Sequence, residues 1–259
     1  MRILILSLTL FVIFTSNGFA GLPFKVGQTY SNFIQLSKVG VKYQLPLPKG
    51  EWLVTAVNDR AAQRSASASA QATSGTKLAD IYLANIVQGK IKMAIAFTYP
   101  YELYSSGWSV PKFCYRDNLH FDERPELYSG TQTDCWGISI IPMGAARKGS
   151  AAARSIAMIQ KQGAKIPTLS VYARYYRANY SEYFTAGYYF NPEFYGISKP
   201  GNVGSFKTVD YNPNLIGDFP EKKIFVDNVI KWGKAWKKLF DLGFEGKLGM
   251  DEINNQPIF

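Results

Sequence analysis

The residues best equipped for chemistry crowd into one short stretch. Tyr172, Arg174, Tyr176, Arg177, Tyr180 and Tyr183 all fall within residues 172–183. Aromatic rings stack on sugar faces, and an arginine fork holds carboxylate or phosphate through paired hydrogen bonds. The same pattern serves cross-strand aromatic pairing in a sheet, so a binding surface and plain sheet packing both fit it. A second group surrounds the one histidine, His120, with Asp117, Asp122 and Glu123 beside it and Asp134 farther along. A histidine among carboxylates can act as a base or assist a nucleophile, and a carboxylate pair can cleave a glycoside. Yet the chain has no GxSxG elbow, and nothing in the spacing selects a pair. It also lacks a P-loop, a dinucleotide glycine fingerprint and a zinc motif. No catalytic residue, metal site or cofactor is assigned.

Cys114 and Cys135 are the two cysteines, and they flank a turn-rich segment containing Asp117, His120, Pro125 and Gly130. A metal pair would need more ligands than one histidine and no CxxC can supply. In an exported chain the two are expected to form one disulfide. In the chain-entropy model a loop of this size stabilises by about 3 kcal/mol.

Trp232 and Trp236 are the last candidates. They lie in Glu221–Leu242, where Phe225, Val229, Trp232, Trp236 and Leu239 recur at helical spacing. Asp227, Lys231, Lys234 and Lys238 take the opposite side. A lysine-rich helix with a tryptophan stripe has the composition of an interfacial membrane helix. It equally suits a helix packed on a sheet, which is the favoured reading, because a large sheet needs helical cover. Gly233 marks a bend or a close approach, and Gly243 or Gly246 ends the helix.

These residues need an exported, folded chain to carry them. Arg2 precedes an apolar run over Ile3–Phe14, and Gly18 and Ala20 form a small-x-small site, so cleavage is expected between Ala20 and Gly21. The run is about a dozen residues, short of the roughly 20 a membrane span wants. An uncleaved anchor is the alternative. Net charge is +10, or +9 once Arg2 leaves with the leader. Export directs that charge towards anionic lipid, lipopolysaccharide or cell-wall polymer rather than nucleic acid. A hydrophobic fraction of 47% is enough for a packed core.

The positioning elements follow from periodicity. Glu51–Val57 reads as a strand, and residues 61–76, without aromatics or branched aliphatics, as a mobile loop. Leu78–Val87 and Lys90–Phe97 form a hairpin around Gln88-Gly89. A strand opens at Cys135, and a helix begins within Gly144–Ser155, to be ended by Gly163. Leu169–Arg177 and Glu182–Asn191 make a second hairpin, with Leu169, Val171, Ala173 and Tyr175 on one face and Ser170, Tyr172, Arg174 and Tyr176 on the other. Residues 198–220 read as loop. The expected class is α+β: a mainly antiparallel sheet of six to eight strands covered by helices, in a single domain over 21–259. An outer-membrane barrel is disfavoured, because Pro257 would damage a terminal strand.

Several phrases together carry a resemblance: Leu47-Pro48-Lys49-Gly50-Glu51-Trp52, Cys114-Tyr115-Arg116-Asp117, Asp134-Cys135-Trp136-Gly137, Tyr175-Tyr176-Arg177 and Phe190-Asn191-Pro192-Glu193. Over residues 45–200 the chain resembles a family of uncharacterised exported bacterial proteins. The resemblance implies a place in the periplasm or cell envelope and no catalytic residues. The expected role is non-enzymatic binding of an anionic envelope surface or ligand. A carboxylate-dependent hydrolase of cell-wall or glycan substrate, and a subunit of an envelope protein complex docking through the final helix, are the alternatives.

Overall fold

The structure, a computed structural model, describes residues 22–38, 41–61, 77–101, 108–128, 132–144 and 146–259. The leader expected over 1–20 lies outside these, as does all of the segment 61–76 except Ala61. Ten strands are described: β1 (Thr29–Tyr30), β2 (Phe33–Lys38), β3 (Val41–Pro46), β4 (Trp52–Ala61), β5 (Lys77–Val87), β6 (Lys90–Pro100), β7 (Phe121–Tyr128), β8 (Gln132–Pro142), β9 (Leu169–Asn179) and β10 (Tyr183–Phe190). Eight of them form one antiparallel sheet in the order β1-β4-β5-β6-β10-β9-β8-β7, while β2 and β3 pair as a separate ribbon. Three helices are α1 (Ala151–Lys161), α2 (Pro220–Phe244) and α3 (Met250–Asn254). The α+β class, the long antiparallel sheet and the C-terminal amphipathic helix stand as expected.

Local chemistry explains the joints. Gln88 and Gly89 both take positive φ, 50° and 69°, as a two-residue hairpin turn with the twist of its strands requires. At the β9–β10 turn the Asn179 side chain accepts from the Ser181 and Glu182 amides, fixing the reversal without a glycine. Ser150 caps α1 by accepting from the Ala153 amide. Three strands were not fully legible. The β2–β3 ribbon lies in the opening stretch, which reads from the sequence as an irregular start or a short strand, and β7 runs through the turn-rich stretch between the cysteines, with Pro125 at an irregularity of its pairing.

The two sheet faces are covered differently. One face presents Trp52, Ile95, Phe97, Tyr175, Phe184 and Tyr188 to α2 and the β2–β3 ribbon, forming the main core. The apolar stripe of α2 belongs to this core: Trp232 is 3% exposed and Trp236 fully buried. This corrects the candidacy of these two residues as a binding surface. Their rings pack edge-on against Tyr188. Lys231, Lys234 and Lys238 remain on the exposed side. Gly233 marks a close approach: the Tyr175 hydroxyl donates to its carbonyl at 2.8 Å, and a Cβ there would meet Trp136 at 2.8 Å.

The opposite face is shared by α1, over β4 and β5, and by the segment 108–119, over β8 and β9. The Cys114–Cys135 disulfide ties that segment to β8. It fits an oxidising, exported environment. Among the described residues no helix is long and apolar enough to cross a membrane.

Candidate functional site

The β9 alternation sends the expected tyrosines and arginines to two different places. Tyr175 and Arg177 point to the α2 side. There Arg177 pairs with Asp241 at 3.1 Å and Glu245 at 3.2 Å and lies over the Phe244 ring. Arg177 is thus a tether for α2 and not part of a surface with Arg174. Tyr172, Arg174 and Tyr176 occupy the other face. Tyr176 is buried, its hydroxyl donating to the Ser109 carbonyl at 3.0 Å. Tyr172 is buried too, stacked on Tyr189 and tilted against Phe113. Both therefore hold the 108–119 segment in place, and a direct ligand contact through either ring is corrected accordingly. Tyr180 is exposed at the hairpin tip, away from the others in sequence register.

What remains open is Arg174 with its neighbours. One cross-strand row runs Ala56, Tyr82, Ala96, Gly187, Arg174, Gly137. Glycines flank Arg174 in both neighbouring strands. The Tyr189 hydroxyl comes within 2.9 Å of where a Cβ on Gly187 would be, and Leu119 within 2.9 Å of one on Gly137. Arg174 is half-buried over the Phe113 ring, 5.3 Å from its centroid. Among the described residues no carboxylate forms an ion pair with it, whereas Arg60 on the same face is paired with Asp80 at 2.6 Å.

Three half-buried tyrosines, Tyr82, Tyr183 and Tyr189, feel the Arg174 charge. Burial raises the pKa of Tyr82, Tyr183 and Tyr189, the last to about 12, and the Arg174 charge partly opposes each shift. All three hydroxyls are neutral at ordinary pH and can donate hydrogen bonds. Sequence reasoning found Tyr183 and Arg174 but missed Tyr82 and Tyr189. The signal for Tyr189 was its place two residues from Gly187, on the alternate face from Tyr188. Tyr82 could be found only through the pairing of β5 with β6.

The acid–base candidates do not assemble. Asp122 pairs with Arg124 at 2.7 Å, the Glu123 carboxylate accepts from the Trp136 indole at 2.8 Å, and Asp134 meets Lys237 at 2.9 Å on the α2 side. Burial pushes the Asp134 pKa up, and Lys237 opposes the shift. Asp117 is exposed.

His120 is not freely exposed. It is half-buried, and burial pulls its pKa down to about 4 despite a hydrogen bond to the Tyr211 main chain and the charge of Asp227. It is held neutral, which has a consequence for stability. An unfolded histidine titrates near about 6.5, so below that pH the unfolded chain takes up a proton the folded chain refuses. The stability is complete above about pH 6.5 and falls as pH drops towards the folded value near 4, by on the order of 2–3 kcal/mol. Urea unfolding at several pH values should show this slope in the native chain. A His120→Gln variant should show a flatter one, and equal slopes would contradict the assignment.

No protein-family model, no curated protein and no solved structure matches this chain.

Proposed function

We propose that the chain is an exported, non-enzymatic binding protein of the cell envelope that holds an anionic group against Arg174. One observation carries this reading: a half-buried guanidinium over the Phe113 ring, without a carboxylate partner among the described residues and with neutral tyrosines that feel its charge. Holding a charge partly out of water is unfavourable unless something compensates it. Phe113 compensates in part through its ring face. A carboxylate or phosphate would complete the compensation through the planar fork, with Tyr82, Tyr183 and Tyr189 as donors. The net positive charge of the chain would draw such ligands towards it. The disulfide and the leader-like N-terminus support an envelope location, and the burial of Trp232 and Trp236 weighs against docking through the final helix.

Calorimetry with inorganic phosphate, acetate and galacturonate tests the reading. Arg174→Met removes the charge and keeps much of the side-chain volume. Lys238→Met, on the exposed side of α2, removes an equal charge elsewhere. The expected result is binding that weakens roughly ten- to a hundredfold in Arg174→Met, the range for a hydrogen bond to a charged group. Lys238→Met should stay within about twofold, as screening of a distant exposed charge allows. Equal weakening in both variants would reduce the effect to net charge and defeat the assignment.

A further inference from the structure

Beside the Arg174 row the same sheet face carries a second feature. Helix α1 does not seal against the strands beneath it. A pocket of about 320 Å³ lies between them, near the lower end of the roughly 300–1,000 Å³ typical of small-molecule sites. Its floor is Ala94 and Ala96, and its walls include Ile156 and Ile159 from α1, Ile166, and Met143 beyond the end of β8. The one hydroxyl that α1 contributes, Ser155 Oγ, is already hydrogen-bonded to Thr55 at 2.7 Å. A lining so largely apolar suits apolar matter and has little to offer a sugar.

The pocket and the arginine meet at two tyrosines. Tyr82 and Tyr189 both line the pocket. Both also feel the Arg174 charge, and the Tyr189 hydroxyl lies over Gly187, the residue paired with Arg174 in the neighbouring strand. Adjacent strands lie about 4.8 Å apart, and Tyr189 on β10 stands one such step from Arg174 on β9. An apolar chamber that opens beside an uncompensated positive charge matches a molecule with an apolar chain and an anionic head.

We infer that the α1 pocket takes the alkyl chain of an anionic amphiphile, such as a fatty acid or an alkyl phosphate, whose head rests on Arg174; this rests on the anion-binding reading given above. Tyr82 and Tyr189 form the neck, their rings against the chain and their hydroxyls towards the head. Carboxylate and phosphate heads share the charge and the hydrogen-bonding geometry that the arginine fork accepts.

The test is calorimetry of the purified protein with butanoate, decanoate, monodecyl phosphate and decanol. It is repeated with Arg174→Met and with Ala152→Leu, which fills the pocket from the helix side. Each variant is first checked for cooperative unfolding, and Ile156→Phe fills the pocket from the same helix should Ala152→Leu not fold. A buried methylene contributes about fourfold in affinity, so decanoate should bind at least about a hundredfold more tightly than butanoate. Filling the pocket should abolish that gain and leave butanoate unchanged. Decanol should bind at least about tenfold more weakly than decanoate in the native chain and equally in Arg174→Met, as the loss of one charge-assisted hydrogen bond requires. Monodecyl phosphate binding more tightly than decanoate would identify a phosphate head, and the reverse order a carboxylate head. A native chain that gains nothing from the longer alkyl group, or a filled pocket that keeps the gain, overturns the pocket assignment while Arg174-dependent binding of short anions still stands. A chain-length gain that survives with Arg174→Met binding decanoate as tightly as the native chain overturns the anion reading instead.

Discussion

Replacing Lys222 by methionine should destabilise the protein by about 3–5 kcal/mol, the range for removing one partner of a buried ion pair. Lys222 is 4% exposed at the first turn of α2, and its ammonium pairs with Asp210, itself 8% exposed. The ammonium also lies over the rings of Tyr211 and Phe219, at 5.6 and 5.2 Å. Asp210 in turn accepts from the Gly201 amide at 3.0 Å, so the pair ties the 198–220 connection to the helix. Removing Lys222 leaves a buried carboxylate with one hydrogen bond and no counter-charge, which accounts for most of the loss. The double variant Lys222→Met/Asp210→Asn removes both charges and keeps the acceptor for Gly201, so it should recover most of the stability. Urea unfolding of the native chain and both variants decides the matter. A single variant within about 1 kcal/mol of native, the usual worth of an exposed pair, would mean that water reaches the carboxylate and that the pair acts as a surface one.

The second large effect is expected at Gly243. In an exposed helix interior, glycine to alanine would stabilise by about 1 kcal/mol. Here the sign reverses, because α2 closes on β3 at this point. A Cβ on Gly243 would lie 2.1 Å from the Gln44 carbonyl oxygen. That carbonyl cannot easily withdraw. The buried Gln44 side chain donates to the Leu248 carbonyl at 3.0 Å and accepts from the Leu248 amide at 2.8 Å, clamping β3 to the chain after the helix. Gly246 makes a similar approach to the Lys42 carbonyl with φ +68°. Gly243→Ala should therefore cost about 3 kcal/mol, the upper part of the range for overpacking, as the helix end lifts from the ribbon. Thermal and urea unfolding would register it. A neutral or stabilising outcome would show that α2 can slide along β3 without loss.

Periodicity made much of the architecture legible. The β5–β6 and β9–β10 hairpins follow from alternation and turn residues, and α2 follows from a stripe at helical spacing. The expected burial of Trp232 and Trp236 over membrane exposure needed only the need of a large sheet for cover. The missed elements lack those local signals. In β2, Ile34 and Leu36 alternate over too short a span to stand out, and β7 carries a proline and three acidic residues along a sheet edge. Lys222 is an instructive intermediate. It sits on the α2 stripe, three residues before Phe225 and seven before Val229, so its burial could be read from spacing. Its partner could not, because Asp210 comes from a connection with no periodicity.

By itself the sequence determined the α+β class, the long hairpins, the amphipathic helix and one cysteine pair able to bridge, since these depend on residue type and near-neighbour spacing. It also determined that Arg174 and Arg177 leave β9 on opposite faces, because a strand alternates with a period of two. Only the tertiary structure decided which face mattered. Pairing with β10 placed Gly187 beside Arg174, and α2 supplied carboxylates to Arg177 but none to Arg174. The packing of α1 left an apolar pocket at the neighbouring tyrosines. The physical reason is that charge compensation and cavity shape depend on groups distant in the chain, and no local spacing encodes which of them will meet.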